Sequence, residues 1–206
     1  MAQYLEIFFE LPVSVQHPLD DAIVSSSARR TRTDGNEQLL APFIMDSILF
    51  KNIPKDAIAV MGITAKDLYP GASWNYVFGL RSLRKRVGVI SLHRFSSRPF
   101  DDQNYVNCLT NVLKTSSHEI GHMFGLKHCI KAICVMNGSN ALPELEIMPN
   151  RLCSECLQKL SWNIGFKNYL RLLALKHFFK KHRLITDAHV TEKDIMSVSN
   201  VAGSNL

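Results

Sequence analysis

HEIGHMFGLKHC, residues 118–129, is the stretch from which the rest of the chain is read. Side chains four apart on an α-helix lie one turn above one another, about 6 Å along the axis. His118 and His122 have that spacing and can direct both imidazoles at one metal ion, while Glu119 beside them can reach a metal-associated water without ligating. Gly125 follows three residues later, the residue type that ends helices in a left-handed conformation. The turn it allows swings the chain back and offers His128 as a third ligand. Three neutral imidazoles leave one zinc position open, and zinc lowers the pKa of a water there from about 16 toward about 7. Glu119 is placed to accept the proton during attack on a carbonyl and to return it to a leaving amine, with the metal and nearby donors stabilising the oxyanion. The chemistry that follows is peptide-bond hydrolysis.

Cys129 directly follows the third histidine. Cys129 and Cys134 have four residues between them, and Cys153-Ser-Glu-Cys156 is a second short-spaced pair. Two such pairs separated by a loop are the layout of a closed four-thiolate zinc site. A catalytic zinc needs an open position, so Cys129 is assigned to a second metal. The expectation is two zinc ions per chain: a catalytic one on His118, His122 and His128, and a structural one on Cys129, Cys134, Cys153 and Cys156. Cys108 falls near the apolar side of the helix that carries the histidines and is read as core. Met136, two residues after Cys134, stands where a methionine turn would lie beneath the histidines.

Upstream of the motif, Tyr105, Leu109, Val112, Leu113, Ile120, Met123 and Phe124 share one helical face, and Thr115, His118 and His122 another. This predicts a long helix to Gly125, starting near Pro99, Asp101 and Asp102, with its apolar side on a sheet. Toward the N-terminus, residues 4–15 read as a strand, 16–36 as a loop and 37–50 as a helix that Pro42 could begin. Residues 57–63, 74–78 and 87–92 read as strands, with a turn at 66–70. Residues 126–156 show little periodicity and suggest a metal-organised lobe; 157–183 read as helical with a break near Gly165, and 187–206 as a flexible tail.

A chain of 206 residues, 46% of them hydrophobic, can bury a real core, which excludes wholesale disorder. The net charge of +6 comes largely from residues 81–86 and 176–183. Aromatics are not interleaved with the basic residues as stacking platforms would require, so both clusters read as solvated faces and no nucleic-acid partner is expected. No segment has the length of a membrane-spanning helix. The first fifteen residues carry Glu6 and Glu10 and lack a basic start, so they do not read as a signal peptide. Five cysteines without such a signal favour metal over disulfides and an intracellular compartment, cytoplasmic or nuclear.

Taken together, HEIGHMFGLKHC, Cys134 with Met136, and CSEC at 153–156 resemble the archaemetzincins, a metzincin-type family of zinc peptidases, with eukaryotic members most similar. GITAKDLYP (62–70), SWNYVFG (73–79) and VGVISLHRF (87–95) are similar to the strands that precede the family's active-site helix, and the resemblance covers about residues 4–166. It implies an α+β, zincin-like metalloprotease fold: a mixed β-sheet with a backing helix and a long active-site helix over a small zinc-stapled C-terminal lobe. It also implies His128 as third ligand, Glu119 as general base, Met136 as the Met-turn residue, and residues 87–92 as the cleft-side edge strand that pairs with an extended substrate. Relative to the family the chain starts late, so an upstream helix or strand is expected to be missing, and Asn137 stands where some metzincins carry a tyrosine after the methionine.

The expected organisation is a single metalloprotease domain over 1–186, with an upper part at about 4–125 and a lower, structural-zinc part at about 126–186, followed by the tail at 187–206. The expected function is a monomeric zinc metallopeptidase acting on peptides or proteins, with no membrane partner. The alternative is a zinc-stabilised peptide-binding protein with little turnover, and Glu119 distinguishes the two, because binding alone needs no general base.

Overall fold

The structure, a computed structural model, describes residues 1–95 and 102–203. Its elements run α1 (Ala2–Phe9), β1 (Arg29–Thr31), β2 (Glu37–Leu40), α2 (Ala41–Phe43, continuing as a π-helical stretch Ile44–Leu49), β3 (Val60–Thr64), β4 (Asp67–Tyr69), β5 (Gly79–Ser82) and β6 (Val87–Ser91). Helices α3 (Asp102–Met123), α4 (Leu142–Glu146), α5 (Ser154–Ile164), α6 (Asn168–Lys181) and α7 (Ile185–Gly203) follow. No helix among the described residues is long and apolar enough to cross a membrane.

The α+β class stands, but the strands form two three-stranded mixed sheets, ordered β1-β2-β4 and β3-β6-β5. In the first, β2 pairs antiparallel with β1 and parallel with β4; in the second, β6 pairs parallel with β3 and antiparallel with β5. Residues 87–92 are therefore not the edge. All five residues of β6 are buried: Val87 and Val89 join the core beneath α2, and Ile90 joins Phe78, Cys108 and Val112 on the α3 side. A strand apolar on both faces has to be covered on both faces, and the edge position passes to β5.

Residues 4–15 are likewise not a strand. Tyr4, Leu5, Phe8 and Phe9 recur with helical period and are buried in α1, which ends at Glu10 in a left-handed conformation (φ 48°). Residues 37–40 form β2, and Pro42 sits in the first turn of α2, where a missing N–H costs nothing. The turn expected at 66–70 contains β4, and 74–78 contributes only an isolated bridge, Leu68 to Val77. The residues expected to fray form most of α7, which packs along α6. Pro99 and Asp101, expected at the start of the long helix, lie outside the described residues, and Asp102 is its first described residue. The break near Gly165 falls between α5 and α6 as expected. One large apolar cluster joins α1, the C-terminal half of α3, the cysteine segments and α6, with the Tyr4 ring 5.6 Å from Phe178 and 6.0 Å from Phe179.

Candidate metal centre

Helix α3 lies against β5 and β6 and carries His118 and His122 near its C-terminal end. It stops as the sequence requires. Gly125 takes φ 85°, its N–H donates to the His122 carbonyl at 2.9 Å, and the Leu126 N–H donates to the Gly121 carbonyl at 3.1 Å. That pair of bonds closes the helix and redirects the chain, bringing His128 back over the last turn. Its ring centroid is 5.2 Å from that of His118 and 4.9 Å from that of His122. One nitrogen from each of the three rings falls within 4.8 Å of the other two.

The tautomers follow from the partners. Nδ1 of His118 faces the Val135 carbonyl at 2.8 Å and Nδ1 of His122 faces the Leu126 carbonyl at 2.6 Å. A carbonyl only accepts, so both Nδ1 atoms carry the proton and both Nε2 atoms present lone pairs, 3.0 Å apart. Two converging lone pairs with a third imidazole beside them suit a cation, and carbonyl-held imidazoles are the usual support for metal ligands. Burial, with the neighbouring rings and Arg81, pulls His118 down to about 4 and His122 to about 3, and burial also lowers His128. His118 and His122 thus stay neutral well below pH 7, the state in which imidazole binds metal.

Glu119 projects from α3 against the bare backbone of Gly79; a side chain there would put its Cβ 3.0 Å from the Glu119 Cγ. Burial raises its carboxyl to about 7, against the opposing charge of Arg81. Oε2 has no hydrogen-bond partner, and Arg81 Nε stands 3.4 Å away as an ion-pair partner only. A base poised near neutrality and stripped of hydrogen bonds on one oxygen is suited to receiving a proton. Gly79 and Arg81 lie on the same face of β5. The bond from the Ser91 N–H to the Phe78 carbonyl sets the ladder's phase, so alternation turns the peptide groups of Gly79 and Arg81 away from β6, toward the open edge.

Beneath the last turn lies Met136, fully buried, its Sδ 2.7 Å from where a Cβ on Gly121 would stand. On the other side the His128 ring rests on Gly138, 3.1 Å from a Cβ position that glycine leaves empty. Cys129, Cys134, Cys153 and Cys156 form a second cluster, with sulfurs within 4.8 Å of one another and all free of disulfides. Burial pushes the Cys134 thiol up to about 11 and also raises Cys156. Burial acts the same way on Cys129, but N–H groups of Ala132 and Lys131 and the neighbouring thiols outweigh it, bringing that thiol to about 7. The two clusters are joined by more than the His128–Cys129 peptide bond. The Val135 N–H donates to the Arg151 carbonyl at 2.8 Å while its carbonyl holds His118. Asn137 stitches the loop, accepting from the Cys134 N–H at 2.7 Å and donating to the carbonyls of Cys129 and Ala132 at 2.6 and 3.0 Å.

All the residues singled out from the motif therefore come together in two groups, with Met136 under the first. Arg81 escaped notice inside a cluster read as a solvated face; its place two residues from Gly79 on one strand face was the available signal. Val135 acts through its backbone and Gly138 through packing, and neither carries a signal, while Asn137, noted only for the tyrosine it replaces, acts through its side-chain amide.

The chain is similar to known proteins over most of its length. The model of peptidase family M54 matches residues 43–162. Human archaemetzincin-2 is 37% identical over 194 residues, covering 82% of this chain and 54% of that protein. The archaemetzincin of Pyrococcus furiosus is 35% identical over 135 residues, covering 65% of this chain and 69% of that protein. Among solved structures, the archaemetzincin of Archaeoglobus fulgidus in complex with malonate superposes with a TM-score of 0.58 at 30% identity, covering 75% of this chain and 86% of that one. The chain spans about half the length of the mammalian relatives it matches. With more than half its residues inside the family model and the two clusters assembled, the chain belongs to peptidase family M54, the archaemetzincins.

Proposed function

We propose that the chain is a zinc-dependent peptidase in which His118, His122 and His128 hold a catalytic zinc and Glu119 is the general base. A second, structural zinc is held by Cys129, Cys134, Cys153 and Cys156, and Met136 forms the floor beneath the histidines. The observation that carries this reading is the set of converging Nε2 lone pairs beside a buried carboxylate with one oxygen unpartnered. A zinc ion so held supplies Lewis acidity toward a scissile carbonyl and acidifies water. The chain's own residues do the rest. Glu119 takes the proton of the attacking water on a carboxylate oxygen and delivers it to the departing amine. The Val135 and Leu126 carbonyls keep the two rings in the ligating tautomer. The open edge of β5, in place of β6, offers the Gly79 and Arg81 peptide groups to an extended substrate, a contact that asks little of substrate sequence. The cysteine group steadies the turn that carries Met136 and, through Val135, the orientation of His118.

The described residues, α7 included, are read as one metalloprotease domain working as a monomer on peptides or proteins, without a nucleic-acid partner. A reducing cytoplasmic or nuclear setting, in which the cysteines stay available to metal, fits the absence of disulfides among them. Retention of Glu119 speaks against a protein that only binds peptides. The test is a peptide-library digest read by mass spectrometry, comparing the native chain with Glu119→Ala at equal zinc content. Cleavage by the native chain alone is expected; equal cleavage by both would remove the mechanism.

A further inference from the structure

The guanidinium of Arg81 stands at the metal centre with most of its bonding capacity unused. Its side chain is 33% exposed, and its Nε lies 3.4 Å from Glu119 Oε2, an oxygen that accepts no hydrogen bond. Arg94, by contrast, commits two N–H groups to Asp67 at 2.9 and 2.6 Å. Among the described residues Arg81 has no ion-pair partner besides Glu119 and no side-chain hydrogen bond, so the outer N–H groups of its fork face solvent beside the base. Its positive charge bears on His118, His122 and His128 as well.

Arg81 also lies on the strand whose open edge is offered to substrate. Its side chain is on the Glu119 side of β5, and its peptide group turns away from β6. An extended chain advances about 3.3 Å per residue. A substrate paired with that edge, its scissile carbonyl beside Glu119, therefore carries the residues flanking the scissile bond past the guanidinium. Beyond Arg81 the surface stays basic. Arg84 is exposed and has no partner among the described residues, and Arg86 donates to the carbonyls of Ala57 and Ile58. Lys85 alone in this turn meets a carboxylate, Asp46 at 2.8 Å. The basic cluster at 81–86 thus belongs to the substrate edge, and its excess charge favours the approach of an anionic chain. An arginine fork matches a carboxylate with two parallel N–H bonds.

We propose that Arg81 selects substrates that carry a carboxylate next to the scissile bond, with Arg84 and Arg86 drawing acidic peptides toward the edge of β5. This deepens the zinc-peptidase reading and rests on it. An Asp or Glu side chain and a free C-terminus both supply the group.

The test is cleavage of matched peptides by the zinc-loaded chain, with Glu or Gln placed at each position in turn and the C-terminus free or amidated. Glu beside the cleaved bond should raise kcat/KM about tenfold over Gln, the scale of a hydrogen bond to a charged group, and Arg81→Gln at equal zinc content should abolish the advantage. Loss of Arg81's influence on Glu119 slows all peptides alike, so the Glu-to-Gln ratio is the readout. An advantage that follows the free C-terminus, and disappears both on amidation and in Arg81→Gln, supports the proposal with the terminal carboxylate as source. No preference of either kind, or a preference that survives Arg81→Gln, overturns it. Calorimetric titration of the same peptides into zinc-loaded Glu119→Gln, with and without Arg81→Gln, reads affinity in the absence of turnover. Tighter binding of the carboxylate-bearing peptide only where Arg81 is present is expected; equal ratios in the two variants would overturn the proposal. Arg81-dependent binding together with no cleavage by the native chain would sink the peptidase reading while keeping carboxylate recognition.

Discussion

Gly121→Ala puts two effects of opposite sign into one substitution. Gly121 lies within α3, between His118 and His122. On propensity alone, alanine is better than glycine in a helix by about 0.8–1.0 kcal/mol. The added Cβ would stand 2.7 Å from Met136 Sδ and 3.3 Å from its Cε, so the thioether would have to retreat by about 0.7 Å to reach ordinary contact. Met136 is 0% exposed and sealed in the main apolar cluster, and forcing extra volume into such packing costs about 1–3 kcal/mol. The balance is a net loss of about 1 kcal/mol, or about 3 °C in Tm for a chain of this size. Peptidase activity should fall with it, since Met136 follows Val135, whose carbonyl orients His118. Thermal denaturation at fixed zinc, paired with activity, makes the measurement. A rise of about 3 °C with activity intact would mean propensity acted alone, and the methionine floor would have to be abandoned.

Metal analysis of the purified chain should give about two zincs, falling toward one in Cys134→Ser with lower Tm and activity; a single zinc in the native chain would undo the two-cluster assignment. Arg81→Ala removes the charge that opposes burial at Glu119, so the carboxyl moves above about 7 and the acidic limb of kcat/KM shifts to higher pH; an unmoved limb would show that the ion pair has no influence on the base. In metal-free protein, His118 and His122 resist protonation down to about 4 and 3 while the unfolded chain charges them near 6.5, so stability falls as pH drops from about 6.5 to 4. Glu119, held protonated up to about 7, opposes with one proton against two, and urea midpoints across that range should decline on acidification; a flat profile would contradict the depressed histidines.

The motif carried most of the site because its information is local. Helical spacing, a helix-ending glycine and two short cysteine spacings each act within a dozen residues, and those are the parts that assembled as expected. The misread elements depend on distant partners. Residues 4–9 look like a strand by composition, yet pairing Tyr4 and Leu5 with Phe8 and Phe9 at helical spacing matters only because α3 and α6 are there to receive that face. β4 carries Asp67, an unpromising strand residue, fully buried because Arg94 and Gln38 close on it from 27 and 29 positions away. β5 contains Gly79 and Arg81, neither a strand former; their place follows from Glu119, forty and thirty-eight residues on. α7 has little local signal and is ordered by Asp187 holding Asn150 and by its packing on α6.

Asn137 has a consequence on the timescale of storage rather than of turnover. It is followed by Gly138, the neighbour that most exposes an asparagine amide to attack by the next backbone nitrogen and so to deamidation. Here the amide is committed to two carbonyls, and the glycine is pressed under the His128 ring. Deamidation would set a carboxylate against the carbonyls of Cys129 and Ala132, loosening the cysteine loop from within. Chemical ageing of the chain is therefore tied to the integrity of that loop. The folded loop holds the amide on those carbonyls, whereas an undone loop would expose it to a lesion that refolding cannot reverse.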